Sequence, residues 1–176
     1  MRRRKFSALA VDANGLVFSI LASICTPIVS YAAKHASALY EPFRDASMMA
    51  LGGADRRAHQ VDPANRRDGV REALRDRSEG VDGIIVKPGG WFGDVIAGVR
   101  GRADIPVWAY QVSGEYAMIE AAAERGWLDR EAAALESLVS LKRAGADRII
   151  SYYADRVPAW LDGRRAGGAS EGGSSR

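Results

Sequence analysis

Residues 79–86 read EGVDGIIV and residues 144–151 read AGADRIIS. Each stretch joins the end of a predicted helix to a glycine, an aspartate and a short apolar run. Glycine commonly ends a helix, and a short unbroken apolar run is typical of a parallel strand that is buried on both faces. The repeat therefore predicts an α/β fold in which parallel strands alternate with helices.

Two further runs, residues 28–34 (IVSYAAK) and 105–112 (IPVWAYQV), also predict strands. Helical patterns separate and follow the four strands, at residues 65–79, 91–100, 113–125, 129–144 and 154–161. This order is that of a (β/α)8 TIM barrel, which needs eight strand–helix units in about 250 residues. Four units predict half of such a barrel.

The half barrel is predicted to occupy residues 26–162. Residues 1–25 form a basic and then apolar lead-in segment, for which a helix is one interpretation. The segment partly resembles a secretory signal, but Asp12 and Asn14 interrupt it and Pro27 leads straight into a strand pattern. We therefore expect a cytoplasmic protein. Residues 163–176 are rich in Gly, Ser, Ala and Arg, which predicts a disordered tail.

The composition is that of a soluble globular protein, because 47% of the 176 residues are hydrophobic and 27% are charged. The net charge is only +3, and no basic stripe or aromatic platform argues for a nucleic-acid partner. The apolar run of the lead-in is too short to cross a membrane comfortably. Cys25 is the single cysteine, which excludes an internal disulfide and a cysteine-based zinc site.

Lys34 and Lys87 each end a predicted strand, and in a barrel the carboxyl ends of the strands form the catalytic face. A lysine attacks a carbonyl only as the neutral amine, and burial or a neighbouring cation lowers its pKa. Two lysines on adjacent strands can therefore activate each other for Schiff-base chemistry. From spacing alone, a surface or ion-pair role remains the commoner alternative for each lysine.

Several long motifs resemble the porphobilinogen synthase (delta-aminolevulinic acid dehydratase) family and occur in its order. They are SYAAKHASALYEPFRDA (30–46), HQVDPANRR (59–67), IIVKPG (84–89), YQVSGEYAMI (110–119) and LESLVSLKRAGADRIISYY (135–153). The resemblance covers residues 26–161 and implies the C-terminal half of a TIM barrel. It also implies a lyase that condenses two 5-aminolevulinate molecules to porphobilinogen in heme biosynthesis.

The resemblance implies roles for individual residues. Lys34 and Lys87 match the Schiff-base lysines of the A-side and P-side substrates, respectively. The expected carboxylate-binding and pocket residues are Arg44, Arg56, Gln60, Tyr40 and Phe43 on the A side, and Ser113, Tyr152 and Tyr110 on the P side. An arginine fork and hydroxyl donors both suit a carboxylate. Arg57 is the alternative match for Arg56, and core packing is the alternative role of the aromatic residues.

Glu72 matches a position at which many bacterial members carry an allosteric magnesium ligand. Magnesium keeps several waters, so one carboxylate is compatible with it, while a solvated helix glutamate is the alternative. The resemblance further implies a homo-oligomer or association with a full-length synthase subunit. His35 and His59 are interpreted as structural residues.

Departures from the family pattern concern both extent and local sequence. The family's N-terminal arm and first barrel strands, with the active-site metal ligands and a catalytic acid, have no match here. A catalytically inactive fragment or an interaction subunit is therefore the alternative to an active synthase. Glu41 replaces a usual glycine, which predicts distortion if that residue needs φ > 0. The segment Gly89–Asp94 also differs from the family, which predicts a looser loop after Lys87.

Overall fold

The computed structural model describes residues 6–11, 17–22, 27–46 and 60–170. Its first two strands, β1 (Phe6–Val11) and β2 (Val17–Ala22), pair antiparallel. The other four form one parallel sheet in the order β3-β4-β5-β6. Their bounds are β3 (Val29–Lys34), β4 (Gly83–Lys87), β5 (Val107–Tyr110) and β6 (Arg148–Ile150).

Helices connect these parallel strands, as the sequence predicts. Their bounds are α1 (Glu41–Ala46), α2 (Arg66–Glu79), α3 (Gly93–Arg100), α4 (Ser113–Glu124), α5 (Arg130–Arg143) and α6 (Val157–Ser170). Two 3-10 turns, Ala38–Tyr40 and Gly90–Phe92, precede α1 and α3. The predicted α/β class with four parallel strands is confirmed, and four strands are half the number of a TIM barrel.

The repeated glycine–aspartate pattern has a direct structural explanation. Gly80 and Gly145 have φ values of 101° and 111°, which lie in the left-handed region that ends a helix. The aspartate two residues later then accepts a backbone N–H at the start of a neighbouring strand or directly before it. Asp82 Oδ2 accepts the N–H of Ile28 at 2.9 Å, and Asp147 Oδ2 accepts that of Val107 at 2.8 Å. Each motif thus ends a helix and aligns the next strand.

The core lies between the sheet and helices α2, α3 and α5. Ile84 and Val86 of β4 are fully buried, as are Val107 and Ala109 of β5. Their cluster includes Val95, Ile96 and Val99 of α3 and Leu141 of α5. Burial of both faces of β4 explains its unbroken apolar sequence.

Three expectations about segments need correction. In residues 1–25 the described part forms two strands that pair antiparallel, rather than a helix. Residues 163–170 continue α6 rather than forming part of a disordered tail, since Arg and Ala there favour a helix despite the glycines. Glu41 has φ −57°, so the position needs no glycine and the turn is not distorted.

The described helices include none that is both long enough and apolar enough to span a membrane.

Candidate active site

The two predicted lysines meet at the carboxyl edge of the sheet. Lys34 ends β3 and Lys87 ends β4, and their Cα atoms are partners in the parallel register. The N–H of His35 donates to the carbonyl of Lys87 at 2.8 Å, which continues the pairing past the strand ends. Both lysines therefore lie on the face where a barrel places its chemistry.

Aromatic rings surround the amine of Lys87. Its Nζ lies 4.2 Å from the ring centroid of Tyr110, 5.4 Å from that of Tyr40 and 5.6 Å from that of Tyr31. Burial lowers the pKa of Lys87, and the positive charge of Lys34 lowers it further. Both effects favour the neutral amine, which is the form that attacks a carbonyl.

A small pocket that is partly open to solvent lies beside this amine. It is lined by Tyr40, Phe43, Lys87, Tyr110, Val112, Ser113 and Tyr152. Six of these seven residues are sequence-predicted site residues, and Val112 is the addition. The described residues therefore place one lysine, three tyrosines and a serine around a space that suits a small polar ligand.

Tyr40 joins the strands that carry the two lysines. It is 7% exposed, and its hydroxyl donates to the carbonyl oxygens of His35 at 2.9 Å and Lys87 at 3.2 Å. Its ring centroid also lies 5.9 Å from Lys34 Nζ. Tyr40 thus combines the two roles that the sequence left open, because it packs in the core and also lines the pocket.

Ser113 and Tyr152 line the same pocket and carry hydroxyl groups. The Ser113 hydroxyl accepts the N–H of Phe43 at 3.2 Å and lies 3.4 Å from the carbonyl of Leu39. Burial raises the pKa of Tyr152, and its hydrogen bond with Tyr110 adds to this effect. Both hydroxyls remain protonated at neutral pH and can donate to an anionic oxygen.

The family model for delta-aminolevulinic acid dehydratase matches residues 21–160. The chain belongs to this family. Similar curated proteins include the delta-aminolevulinic acid dehydratases of Streptomyces coelicolor, 53% identical over 134 residues, and Halalkalibacterium halodurans, 50% identical over 136 residues. The matches cover 76% and 77% of this chain, but only 40% and 42% of the relatives.

A crystal structure of the Toxoplasma gondii delta-aminolevulinic acid dehydratase, in complex with its product porphobilinogen, is also similar. Its TM-score is 0.73 at 47% identity, and the match covers 76% of this chain and 38% of that one. The chain therefore spans about 40% of the length of the curated relatives that it matches. The predicted family is confirmed, and the matched region is the C-terminal part of the family's proteins.

The A-side residues of the family pattern are only partly described. Gln60 directly precedes Val61, and the N–H of Val61 donates to the carbonyl of Lys34 at 2.9 Å. The backbone of Gln60 therefore lies close to that of Lys34. Its buried Oε1 has no hydrogen-bond partner among the described residues. Arg44 lies in α1, but its side chain is outside the described part of the chain, as are Arg56 and its alternative Arg57.

Glu72 lies on α2, away from the pocket residues. Its side chain is 37% exposed, and Oε1 is 3.7 Å from Nε of Arg71. The described residues contain no cluster of three side chains that could hold a metal ion. A metal at Glu72 would thus need water for most of its ligands, which is compatible with magnesium but not with a zinc site.

Sequence reasoning missed the buried residue that joins the pocket's two loops. Glu115 is 6% exposed, and its carboxylate accepts the N–H groups of Gly90 and Val112. Since Gly89 also donates to the carbonyl of Tyr110 at 2.7 Å, the loop after Lys87 is tied at two successive residues rather than loose. Its signal was the glutamate of the VSGEY motif, three residues after the helix cap.

Proposed function

We propose that this chain carries the substrate-binding chemistry of a porphobilinogen synthase, a lyase of tetrapyrrole and heme biosynthesis. The enzyme condenses two 5-aminolevulinate molecules to porphobilinogen. The observation that carries the proposal is Lys87, whose pKa is lowered by burial and by Lys34 inside a pocket of hydroxyl groups. Membership of the family supports the same chemistry.

In the proposed reaction, the neutral amine of Lys87 attacks the ketone carbon of one 5-aminolevulinate. The carbonyl oxygen leaves as water, and a carbon–nitrogen double bond forms as the Schiff base. Ser113 and Tyr152 bind the carboxylate of this substrate through their hydroxyls, with Tyr110 against the amine. Their position in the same pocket as Lys87 supports this assignment.

Lys34 is proposed to bind the second substrate in the same way. Arg44, Arg56 and Gln60 would hold its carboxylate, while Tyr40 and Phe43 would line its site. The register partnership of Lys34 and Lys87 supports the proposal, because it brings the two amines to adjacent strand ends. Positioning two substrates side by side is itself a large contribution to the rate of a condensation.

The proposal predicts a covalent adduct at Lys87. The chain is incubated with 5-aminolevulinate and borohydride, and the modified residues are mapped by mass spectrometry. We expect Lys87 to gain the mass of the substrate less one oxygen atom, since the imine is reduced to a secondary amine. Lys142 is the internal control, because its ammonium donates to the carbonyls of Ala146 and Asp147. An unmodified Lys87 in folded protein contradicts the proposal.

A measurement of porphobilinogen synthesis separates an active enzyme from an inactive fragment or interaction subunit. The chain spans about 40% of its relatives, so groups needed for ring closure can lie in the rest of the family's length. Loss of one positioned acid–base group costs about 10²–10⁴ in rate. We expect adduct formation with little or no porphobilinogen, measured colorimetrically with a Lys87→Ala control. Turnover at the rate of a full-length synthase would contradict this expectation.

Magnesium binding at Glu72 is a further part of the proposal. A single carboxylate with water as the other ligands suits Mg²⁺, although Arg71 beside it opposes a cation. Mg²⁺ should therefore raise the thermal midpoint of the chain, and Glu72→Gln should abolish that increase. Glu79→Gln, which removes another carboxylate of α2, is the matched control. An equal magnesium response in all three proteins would exclude Glu72 as the ligand.

A further inference from the structure

Glu115 holds together the two loops that form the pocket. Its Oε1 accepts the N–H of Gly90 at 2.5 Å, and its Oε2 accepts the N–H of Val112 at 2.7 Å. Gly90 lies three residues after Lys87, and Val112 precedes Ser113. One carboxylate therefore connects the loop that carries the amine to the loop that carries the proposed carboxylate-binding hydroxyl.

Two glycines near this contact, Gly90 and Gly114, each lie very close to a neighbouring group. A Cβ at residue 90 would collide with Oε1 of Glu115. A Cβ at residue 114 would lie 2.6 Å from the backbone of Leu39, where α4 approaches the 3-10 turn. Neither glycine has the positive φ that would explain it through backbone conformation. Close approach to Glu115 and Leu39 is therefore the reason for both.

The carboxylate acts through hydrogen bonds rather than through an ion pair. Burial raises the pKa of Glu115, and the N–H groups of Val112, Gly90 and Gly89 oppose that shift. None of the ion pairs in the described part of the chain involves Glu115. The pKa of Lys87 is set by burial and by Lys34, not by this carboxylate.

We propose that Glu115 is a positioning residue for Lys87. By holding the N–H of Gly90, it keeps the loop closed and so keeps the Lys87 amine among the tyrosine rings. The inference rests on the proposed role of Lys87 as the reactive amine. It assigns Glu115 no contact with the substrate, because its carboxylate is occupied by backbone donors on both oxygens.

The proposal predicts that removal of Glu115 changes the pKa of Lys87 in the direction opposite to that expected from a direct charge effect. If Glu115 acted by its charge, its removal would disfavour the ammonium form and lower the pKa of Lys87. If it positions the loop, its removal admits water to Lys87 and raises that pKa towards the ordinary value. A rise of one unit leaves about tenfold less neutral amine at a pH below both values.

The experiment is competitive acetylation of the full chain across a pH series, with each lysine quantified by mass spectrometry. The acetylating reagent reacts with the neutral amine directly. The measured reactivity of Lys87 therefore does not depend on whether 5-aminolevulinate forms an adduct. Glu115→Gln removes the charge at constant shape, and Glu115→Asp keeps the charge but shortens the reach. Gly90→Ala breaks the same contact from the other side. Glu124→Gln, an exposed carboxylate on the same helix, is the matched control.

We expect Lys87 labelling to fall several-fold in Glu115→Gln, Glu115→Asp and Gly90→Ala, with Lys34, Lys142 and the control variant unchanged. Combining Glu115→Gln with Gly90→Ala should add little, because both act on one contact. Unchanged Lys87 labelling in folded variants overturns the proposal. So does increased labelling in Glu115→Gln alone, or an equal change at all three lysines. If the Glu115 variants do not fold, Gly90→Ala decides by the same criteria.

Discussion

Burial favours the neutral form of three titratable side chains close to the strand ends. It lowers the pKa of Lys87, lowers that of His35 and raises that of Glu115. The cause is common, since removal from water penalises a charge of either sign. The consequences differ, because the neutral amine of Lys87 is a nucleophile, whereas neutral His35 is a packing residue stacked on Phe92 at 4.4 Å.

His35 makes stability depend on pH. It is fully buried, and its ring nitrogens have no hydrogen-bond partner among the described residues. Burial lowers its pKa, and the backbone of Ala33 and the charges of Asp94 and Asp62 oppose this only in part. The folded state thus holds neutral histidine, while the unfolded chain binds a proton below its pKa of about 6.5. The free energy of unfolding should therefore fall as the pH drops through this range.

The measurement is the urea midpoint at about pH 7.5 and pH 5.5, either side of the histidine pKa. We expect the wild-type midpoint to fall and the His35→Leu midpoint to change much less, because leucine has a similar volume and no charge. The variant His59→Gln tests whether the other histidine contributes to the pH dependence of the urea midpoint. An equal pH dependence in wild type and His35→Leu would show that His35 does not cause it.

At the scale of elements, the aspartates before β4 and β6 help to align neighbouring strands. Asp82 accepts the N–H of Ile28, directly before β3, and Asp147 accepts that of Val107, the first residue of β5. The apolar runs identified all four strands, but they did not fix all of the strand bounds. Residues 105–112, for example, contain only the four-residue strand β5, because pairing with β4 and β6 stops at Tyr110.

Asp147 offers a test of this alignment. Asp147→Ala leaves the N–H of Val107 without its partner, at a fully buried residue. An unsatisfied buried donor costs about 1–3 kcal/mol, so we expect a loss of that size in the free energy of unfolding. Chemical denaturation measures it, and Asp104→Ala, which removes only an exposed partner of Arg77, should have little effect. Equal losses in the two variants would contradict the assignment.

At the scale of the whole molecule, the described sheet has two open edges. Among the described strands β3 pairs only with β4, and β6 pairs only with β5, although Val61 forms a single bridge at the end of β3, where its N–H donates to the carbonyl of Lys34. A parallel strand with unpaired backbone groups is a template for further pairing. Tyr31, on the β3 edge, is 48% exposed and adds apolar surface there. Homo-oligomer formation, or association with a full-length synthase subunit, follows as a proposal from this geometry.

We therefore expect the isolated chain to self-associate. Size-exclusion chromatography with light scattering should show a mass that increases with concentration. Tyr31→Lys places a charge at the β3 edge and should reduce association, whereas Val139→Lys, at an exposed position of α5, should not. A sharp monomer peak at all concentrations, with cooperative unfolding, would contradict the expectation. Addition of a full-length synthase, followed by the same chromatography, then tests whether the chain associates with a full-length subunit.

The sequence by itself determined the fold class, the family and the place of Lys34 and Lys87 at the ends of two strands. These depend on local patterns: apolar runs on buried strands, glycine at helix ends and motifs read in order along the chain. Only the tertiary structure decided that Tyr40 bridges both lysine strands, that His35 is buried without a partner, and that Glu115 clamps the loop of Lys87. The contacts of Tyr40 with Lys87 and of Glu115 with Gly90 join residues more than twenty positions apart, and no local pattern encodes which of several polar side chains reaches across. Burial, and hence each shifted pKa, is likewise a property of the packed chain.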